Sequence, residues 1–176
     1  MDADGRERAL VAVREQVALA CATLAAANAR DEALARWVPP RRVLFFTRRA
    51  SFVPLARAWR LGVFLLDRDG TLYEAGSSTR AVPPGYPGYQ SVSAENRRAY
   101  RAAAHEGPFE PGETVNFDAV AVRIDETLAD SAGRLFLRDG RALVRWSPAA
   151  DDATAAEFAA YLDERVNLLL EPPAGA

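Results

Sequence analysis

The sequence predicts an α+β fold: a mainly antiparallel sheet with two β-hairpins, a long N-terminal helix and a C-terminal helix. Three observations lead there. The chain opens with an Ala-, Leu-, Val- and Arg-rich stretch that contains no glycine or proline between Arg6 and Arg36. The short apolar runs that follow are joined too tightly for the crossover connections that parallel strands require. Arg-Asp-Gly occurs twice, at Arg68-Asp69-Gly70 and Arg138-Asp139-Gly140, each time between apolar runs. Asp-Gly in that setting is a strong signal for a reversing turn, because glycine takes positive φ without steric cost.

The elements follow in order. Leu10, Val13, Val17, Ala20 or Cys21, Leu24 and Ala27 recur at the spacing of one helical face, which predicts a helix from about Arg6 to Arg36. Asn28-Ala-Arg-Asp31 is the place where it would break, and Trp37-Val-Pro-Pro40 stops it, since a residue before proline avoids helical geometry. The alanine-rich face suits packing on the sheet and also admits pairing with a second copy. Val43-Leu-Phe-Phe-Thr47 reads as a buried strand, and Ser51 to Arg57 as a connector. Trp59 to Leu66 becomes apolar on both faces toward its end, as in a covered strand, and Thr71 to Ala75 returns after the first turn.

Ala81 to Gln90 holds three prolines and two glycines and is read as a loop displaying Tyr86 and Tyr89. Ser93 to His105 is a short helix with Ser93 as N-cap, stopped by Gly107-Pro108. A second loop, Gly107 to Glu113, leads into an interior strand at Val115 to Ile124. Arg134–Arg138 and Arg141–Trp146 flank the second turn. The last helix runs from about Thr154 to Leu169, with Thr154 and Glu157 at capping-box spacing. Residues 171–176 are expected to fray, and the whole chain is read as one domain.

Composition excludes several chemistries. All 22 basic residues are arginine, so a Walker-type phosphate loop, a Schiff-base lysine and a Ser-Lys dyad are ruled out. One histidine and one cysteine leave no zinc or iron site of several Cys and His ligands within one chain, and no metal or cofactor is expected. A single cysteine, no signal-like N-terminus and no apolar run near the roughly 20 residues of a membrane span fit a cytoplasmic protein. Charge is uneven. Residues 1–101 carry 16 arginines against 10 acids, and residues 102–176 carry 6 against 14. Between Ala33 and Leu66 there is no acid but seven arginines: Arg36, Arg41, Arg42, Arg48, Arg49, Arg57 and Arg60. With a pI near 5.5, pairing of these with acids of the second half, within the fold or across a homodimer, is expected over a nucleic-acid partner.

The run Leu61-Gly-Val-Phe-Leu-Leu-Asp67-Arg-Asp69-Gly-Thr71-Leu-Tyr73 carries the one family resemblance. Over Val63 to Leu72 it resembles the first motif of the haloacid-dehalogenase-like phosphohydrolases. The resemblance implies Asp67 as a nucleophile, Asp69 as acid/base and Mg²⁺ against their oxygens. The rest of that pattern is missing or out of order. The strand ending in threonine comes before the motif, the third motif's lysine is absent, and Asp151-Asp152 follow Ser147-Pro-Ala-Ala. The second Arg-Asp-Gly has no counterpart of Asp67 yet keeps the turn, so the run is predicted to be a turn.

Other catalytic candidates are weaker. His105 ends a helix, Ser91 and Ser93 lack a nucleophile elbow, and Cys21 lies mid-helix among alanines. The expected function is therefore a non-catalytic domain that binds a partner protein or an anionic small ligand through the 80–113 region. Its candidate ligand-binding residues are Tyr86, Tyr89, Arg97, Arg98, Tyr100 and Arg101. No catalytic or metal-ligating residue is assigned. The alternative is a divergent Mg²⁺-dependent phosphohydrolase using Asp67 and Asp69.

Overall fold

The computed structural model describes residues 3–43, 45–85, 91–147 and 152–173, and its class is α+β with mostly antiparallel strands. In chain order the elements are α1 (Ala3–Ala26), β1 (Glu32–Val38), β2 (Arg41–Val43), β3 (Phe46–Arg48), β4 (Ser51–Leu61), β5 (Phe64–Asp67), β6 (Leu72–Glu74) and β7 (Ser77–Arg80). Then come α2 (Val92–His105), β8 (Thr114–Phe117), β9 (Val120–Ala121), a 3₁₀ turn (Glu126–Asp130), β10 (Leu135–Arg138), β11 (Arg141–Val144), β12 (Ala156–Glu157) and α3 (Phe158–Leu170). They form two compact units. One comprises Met1–Asp31, Trp59–Ala75 and Val120–Ala176, the other Glu32–Ala58 and Gly76–Ala119.

In the first unit, Leu10, Val13, Val17 and Leu24 form the buried stripe of α1. They share one core with Leu61, Phe64, Leu66 and Leu72 of the β4–β6 strands and with Phe158 and Leu162 of α3. Trp59 is fully buried, and its indole Nε1 donates to the Ala29 carbonyl at 3.1 Å, which satisfies the ring's single polar group. By length and composition alone α1 is long and apolar enough to cross a membrane, contrary to the expectation from the sequence. Its inward stripe is nevertheless part of a protein core.

Helix α1 ends ten residues before Arg36. Asn28 takes a left-handed φ of 48°, and the Ala29 amide returns to the Leu24 carbonyl at 3.0 Å, a Schellman-type stop. The helix-forming residues Glu32-Ala-Leu-Ala-Arg36 are strand instead, because β1 is hydrogen-bonded on both sides, antiparallel to β4 and parallel to β8. The segment read as a connector, Ser51 to Arg57, belongs to β4, and Pro54 sits where the β1–β4 register shifts, a place where its missing N–H is tolerated.

Three further expectations are corrected. The buried strand expected at Val43 to Thr47 is not seen in its described side chains: β2 and β3 pair with each other, and Phe45 and Phe46 are 96% and 80% exposed. The two strands form a separate sheet of their own, so no further strand pairs with them among the described residues. Val115 to Ile124 is two short strands, because Asp118 adopts a left-handed φ of 55° between β8 and β9. Ala156-Glu157 pairs with β11, so α3 starts at Phe158 and the expected Thr154–Glu157 capping box does not form.

In the second unit the strand order is β7-β8-β1-β4. One face carries Ala33, Ala35, Phe52, Val115 and Phe117 in a cluster with Ala103 and Ala104 of α2. Trp37 and Phe117 each lie 4.7 Å from the Tyr100 ring, and Phe52 lies 5.0 Å from Phe117. Tilted and edge-on contacts of this kind add to plain area burial.

The β4–β5 connection gives a sharp test. Gly62 has φ +67°, and a β-carbon there would fall inside contact distance of the Tyr161 hydroxyl, which accepts from the Val63 amide at 2.9 Å. Gly62→Ala is expected to cost about 2–4 kcal/mol in urea denaturation, from backbone strain and the disturbed hydrogen bond. In a Tyr161→Phe background, where the obstructing oxygen is gone, the same change should cost less. Simple additivity would show that the hydroxyl contact does not matter.

Candidate functional site

Helix α2 sorts its arginines by angle. Arg97, Tyr100 and Arg101 stand at i, i+3 and i+4 and so share one face, while Arg98 lies about 100° further round. Arg98 is bound to Glu95 by contacts of 2.9 and 3.1 Å, and this guanidinium holds the Glu95 carboxyl below its ordinary pKa. The N-cap position lies two residues earlier than expected, at Ser91 rather than Ser93. The Ser91 side chain makes no capping hydrogen bond; its hydroxyl lies 3.0 Å from that of Ser93.

Arg97, Tyr100 and Arg101 line a cleft of about 420 Å³ together with Arg80 of β7. Ser78 and Thr79 of β7, Val82 beyond it and Thr114 of β8 complete the lining. No carboxylate is among these residues, and among the described residues none of the three arginines makes an ion pair. Tyr100 is part of the lining, but its half-buried ring packs on Trp37 and Phe117, so it is anchored rather than displayed. Of the six residues singled out in the sequence, three meet here, Arg98 does not, and Tyr86 and Tyr89 lie outside the described residues. Sequence reasoning missed Arg80 and its neighbouring hydroxyls. The available signal was the polar edge segment Ser77-Ser-Thr-Arg80 directly before the proline-rich loop.

The Gly107–Glu113 loop is held in place as cover. Phe109 packs edge-on to Phe52 at 6.4 Å, and the Gly112 amide donates to Ala81 O at 2.8 Å. The Ala81 amide donates to Glu113 O at 2.9 Å, while the Glu113 carboxylate is engaged by Arg57 and by the Glu110 amide. These bonds fix the end of β7, and with it the base of Arg80.

Asp67 closes the turn between β5 and β6. Strands β5 and β6 pair antiparallel, and a three-residue loop of Arg68, Asp69 and Gly70 joins Asp67 to Thr71. The Gly70 amide closes a tight turn on Asp67 O at 3.2 Å, and Gly70 takes φ +84°. This loop turns two amides inward, and Asp67 Oδ1 accepts from both, Asp69 N at 3.0 Å and Thr71 N at 2.8 Å. Oδ2 accepts from the Tyr73 hydroxyl at 3.0 Å. In the second Arg-Asp-Gly, Asp139 and Gly140 are both left-handed and form a two-residue loop with Arg138 opposite Arg141. The position matching Asp67 is the buried apolar Leu137. Asp67 is 4% exposed, and both of its carboxylate oxygens accept hydrogen bonds from the turn and Tyr73.

The remaining candidates are also accounted for. Cys21 Sγ lies 3.7 Å from Asp67 O and 3.6 Å from Arg68 O, and burial together with the negative charge of Asp67 and Asp69 raises its thiol pKa. That is the opposite of an activated thiolate. His105 is exposed at the end of α2, and Ser91 and Ser93 have only each other as side-chain partners among the described residues.

No family model matches the chain, and neither a curated protein nor a solved structure is similar to it.

Two measurements test the turn. Asp67→Ala strands two amides and a hydroxyl and is expected to cost about 3 kcal/mol, whereas Asp67→Asn, which keeps one acceptor oxygen, should cost about 1 kcal/mol. Equal costs would sink the assignment. Burial and the neighbouring Asp67 carboxylate raise the Tyr73 pKa, so the folded state holds this proton more tightly than the unfolded chain. The resulting stability is present below the unfolded tyrosine value near 10 and is lost as pH rises through the folded value. Without lysine, little but tyrosine and Cys21 titrates in that range. Chemical denaturation between about pH 9 and 11 should show a decline that Tyr73→Phe reduces.

Proposed function

We propose that the cleft between β7 and α2 binds a compact anionic ligand carrying two or more negative charges, and that the chain acts as a binding domain. The observation that carries this reading is the convergence of Arg80, Arg97 and Arg101, none of them ion-paired among the described residues, on a cleft without a carboxylate. Three like charges on one cleft repel each other, and an anion relieves that repulsion. Guanidinium groups suit phosphate or carboxylate oxygens because their planar forks donate two hydrogen bonds at once. Ser78, Thr79 and Thr114 complete a lining of small polar residues. A volume of about 420 Å³ is in the range of small-ligand sites. An acidic side chain of a partner protein offers the same chemistry and is included in the reading.

Calorimetric titration with pyrophosphate and with citrate as probes tests the proposal. Binding is expected to weaken as salt rises. Arg97→Ala and Arg101→Ala should each reduce affinity by about tenfold or more, as the loss of a charged hydrogen bond predicts. Arg98→Ala, whose guanidinium is held by Glu95, should leave it unchanged. Equal losses in all three variants would mean that only overall charge matters and would remove the cleft as the site.

A further inference from the structure

The β2–β3 ribbon is the second place where arginine stands without acid, and it adds a feature the cleft lacks. Phe45 and Phe46 are adjacent at its turn and are 96% and 80% exposed. Two bare phenylalanines in contact with water are unfavourable, since apolar surface gains by leaving water. Arg41 and Arg42 stand on one side of the tip and Arg48 on the other, all exposed. The register sets Arg41 directly opposite Arg48, a like-charge cross-strand pair that destabilises an isolated ribbon. Among the described residues Arg41, Arg42 and Arg48 have no ion-pair partner, and only Arg49 reaches an acid, Glu106 at 3.5 Å. Both the exposed rings and the opposed charges are liabilities that one kind of surface removes together.

We infer that the β2–β3 ribbon docks on an anionic phospholipid bilayer, with Phe45 and Phe46 entering the interface and Arg41, Arg42 and Arg48 held at the headgroups. The sequence Arg-Arg-Val-Leu-Phe-Phe-Thr-Arg-Arg brackets an unbroken apolar run with charge on both sides. That order matches a layer that is apolar inside and negatively charged at its edge. Nucleic acid would satisfy the arginines, but the aliphatic members of the run have no flat face to stack on bases. The inference is independent of the cleft, because it uses none of the residues that line it.

Co-sedimentation with vesicles decides it. The chain is expected to bind vesicles of phosphatidylcholine containing about a third phosphatidylserine at least tenfold more tightly than phosphatidylcholine alone, and salt near 0.5 M should release it. Phe45→Ser/Phe46→Ser and Arg41→Glu/Arg48→Glu should each abolish binding, with thermal melts checking that both variants fold. Phe45→Trp should give a blue-shifted emission on anionic vesicles, reporting entry of the ring into the interface. Failure to bind either vesicle overturns the inference, as does binding that survives the phenylalanine changes. So does capture of an oligonucleotide in place of vesicles. A dimer mass in light scattering that Phe45→Ser/Phe46→Ser converts to monomer, without vesicle binding, assigns the ribbon to a second copy and overturns it too.

Discussion

The Asp67 carboxylate is the constraint around which the first compact unit is arranged. A charged group at 4% exposure is tolerated only where hydrogen bonds replace its water, and here two turn amides and a tyrosine hydroxyl do so. The consequences spread along the chain. With the loop closed, Arg68 is directed to Asp31 through contacts of 2.6 and 2.9 Å and lies 5.4 Å from the ring centroid of Trp59. Trp59 in turn holds the Ala29 carbonyl, just past the stop of α1. Cys21 on α1 approaches the turn carbonyls. One side chain thereby fixes the turn, the exit of the first helix and the position of the central tryptophan.

The second unit rests on a different kind of constraint. Its sheet is covered on one face by α2 through alanines and an aromatic cluster, so α2 must lie close and flat against the strands. Tyr100 faces inward as part of that packing. Helical geometry then places Arg97 and Arg101 on the same side of Tyr100, beside the end of β7. The cleft is a by-product of packing that the arginines fill with charge, which explains why a core residue and two solvated ones share a lining.

Much of this was legible in the sequence, and the failures have definite causes. The fold class, the two Arg-Asp-Gly turns, the described part (81–85) of the expected Ala81 to Gln90 loop and the helix up to His105 follow from local chemistry: glycine and proline placement and apolar spacing. β1 was not legible, because Glu32-Ala-Leu-Ala-Arg36 is made of helix formers and becomes strand only through partners about 20 and 80 residues away. The β2–β3 ribbon was misread for the opposite reason: a short apolar run normally means burial, and periodicity carries no information on whether anything covers it. At the cleft, Arg97 and Arg101 were legible as a charged helix face. Arg80 was not, since its approach depends on β7 pairing with β8, which lies more than 30 residues on.

Charge shows why whole-chain averages misled. The chain is acidic overall, with a net charge of −2, and on that ground its arginines are expected to pair internally. Sorted by compact unit the picture differs: Glu32–Ala58 with Gly76–Ala119 carries ten arginines against six acids, and the rest carries twelve against eighteen. Within the basic unit, Arg49, Arg57 and Arg98 do pair with acids, through Glu106, Glu113 and Glu95. The surplus is concentrated at two places, the cleft arginines and the ribbon arginines, and each adds a feature that pairing alone does not require: a concave surface without a carboxylate among its lining residues in one, bare aromatic rings in the other. Arginine spread only for solubility has no need of either. A pI near 5.5 therefore weighs little against anionic partners, because it averages two units of opposite sign.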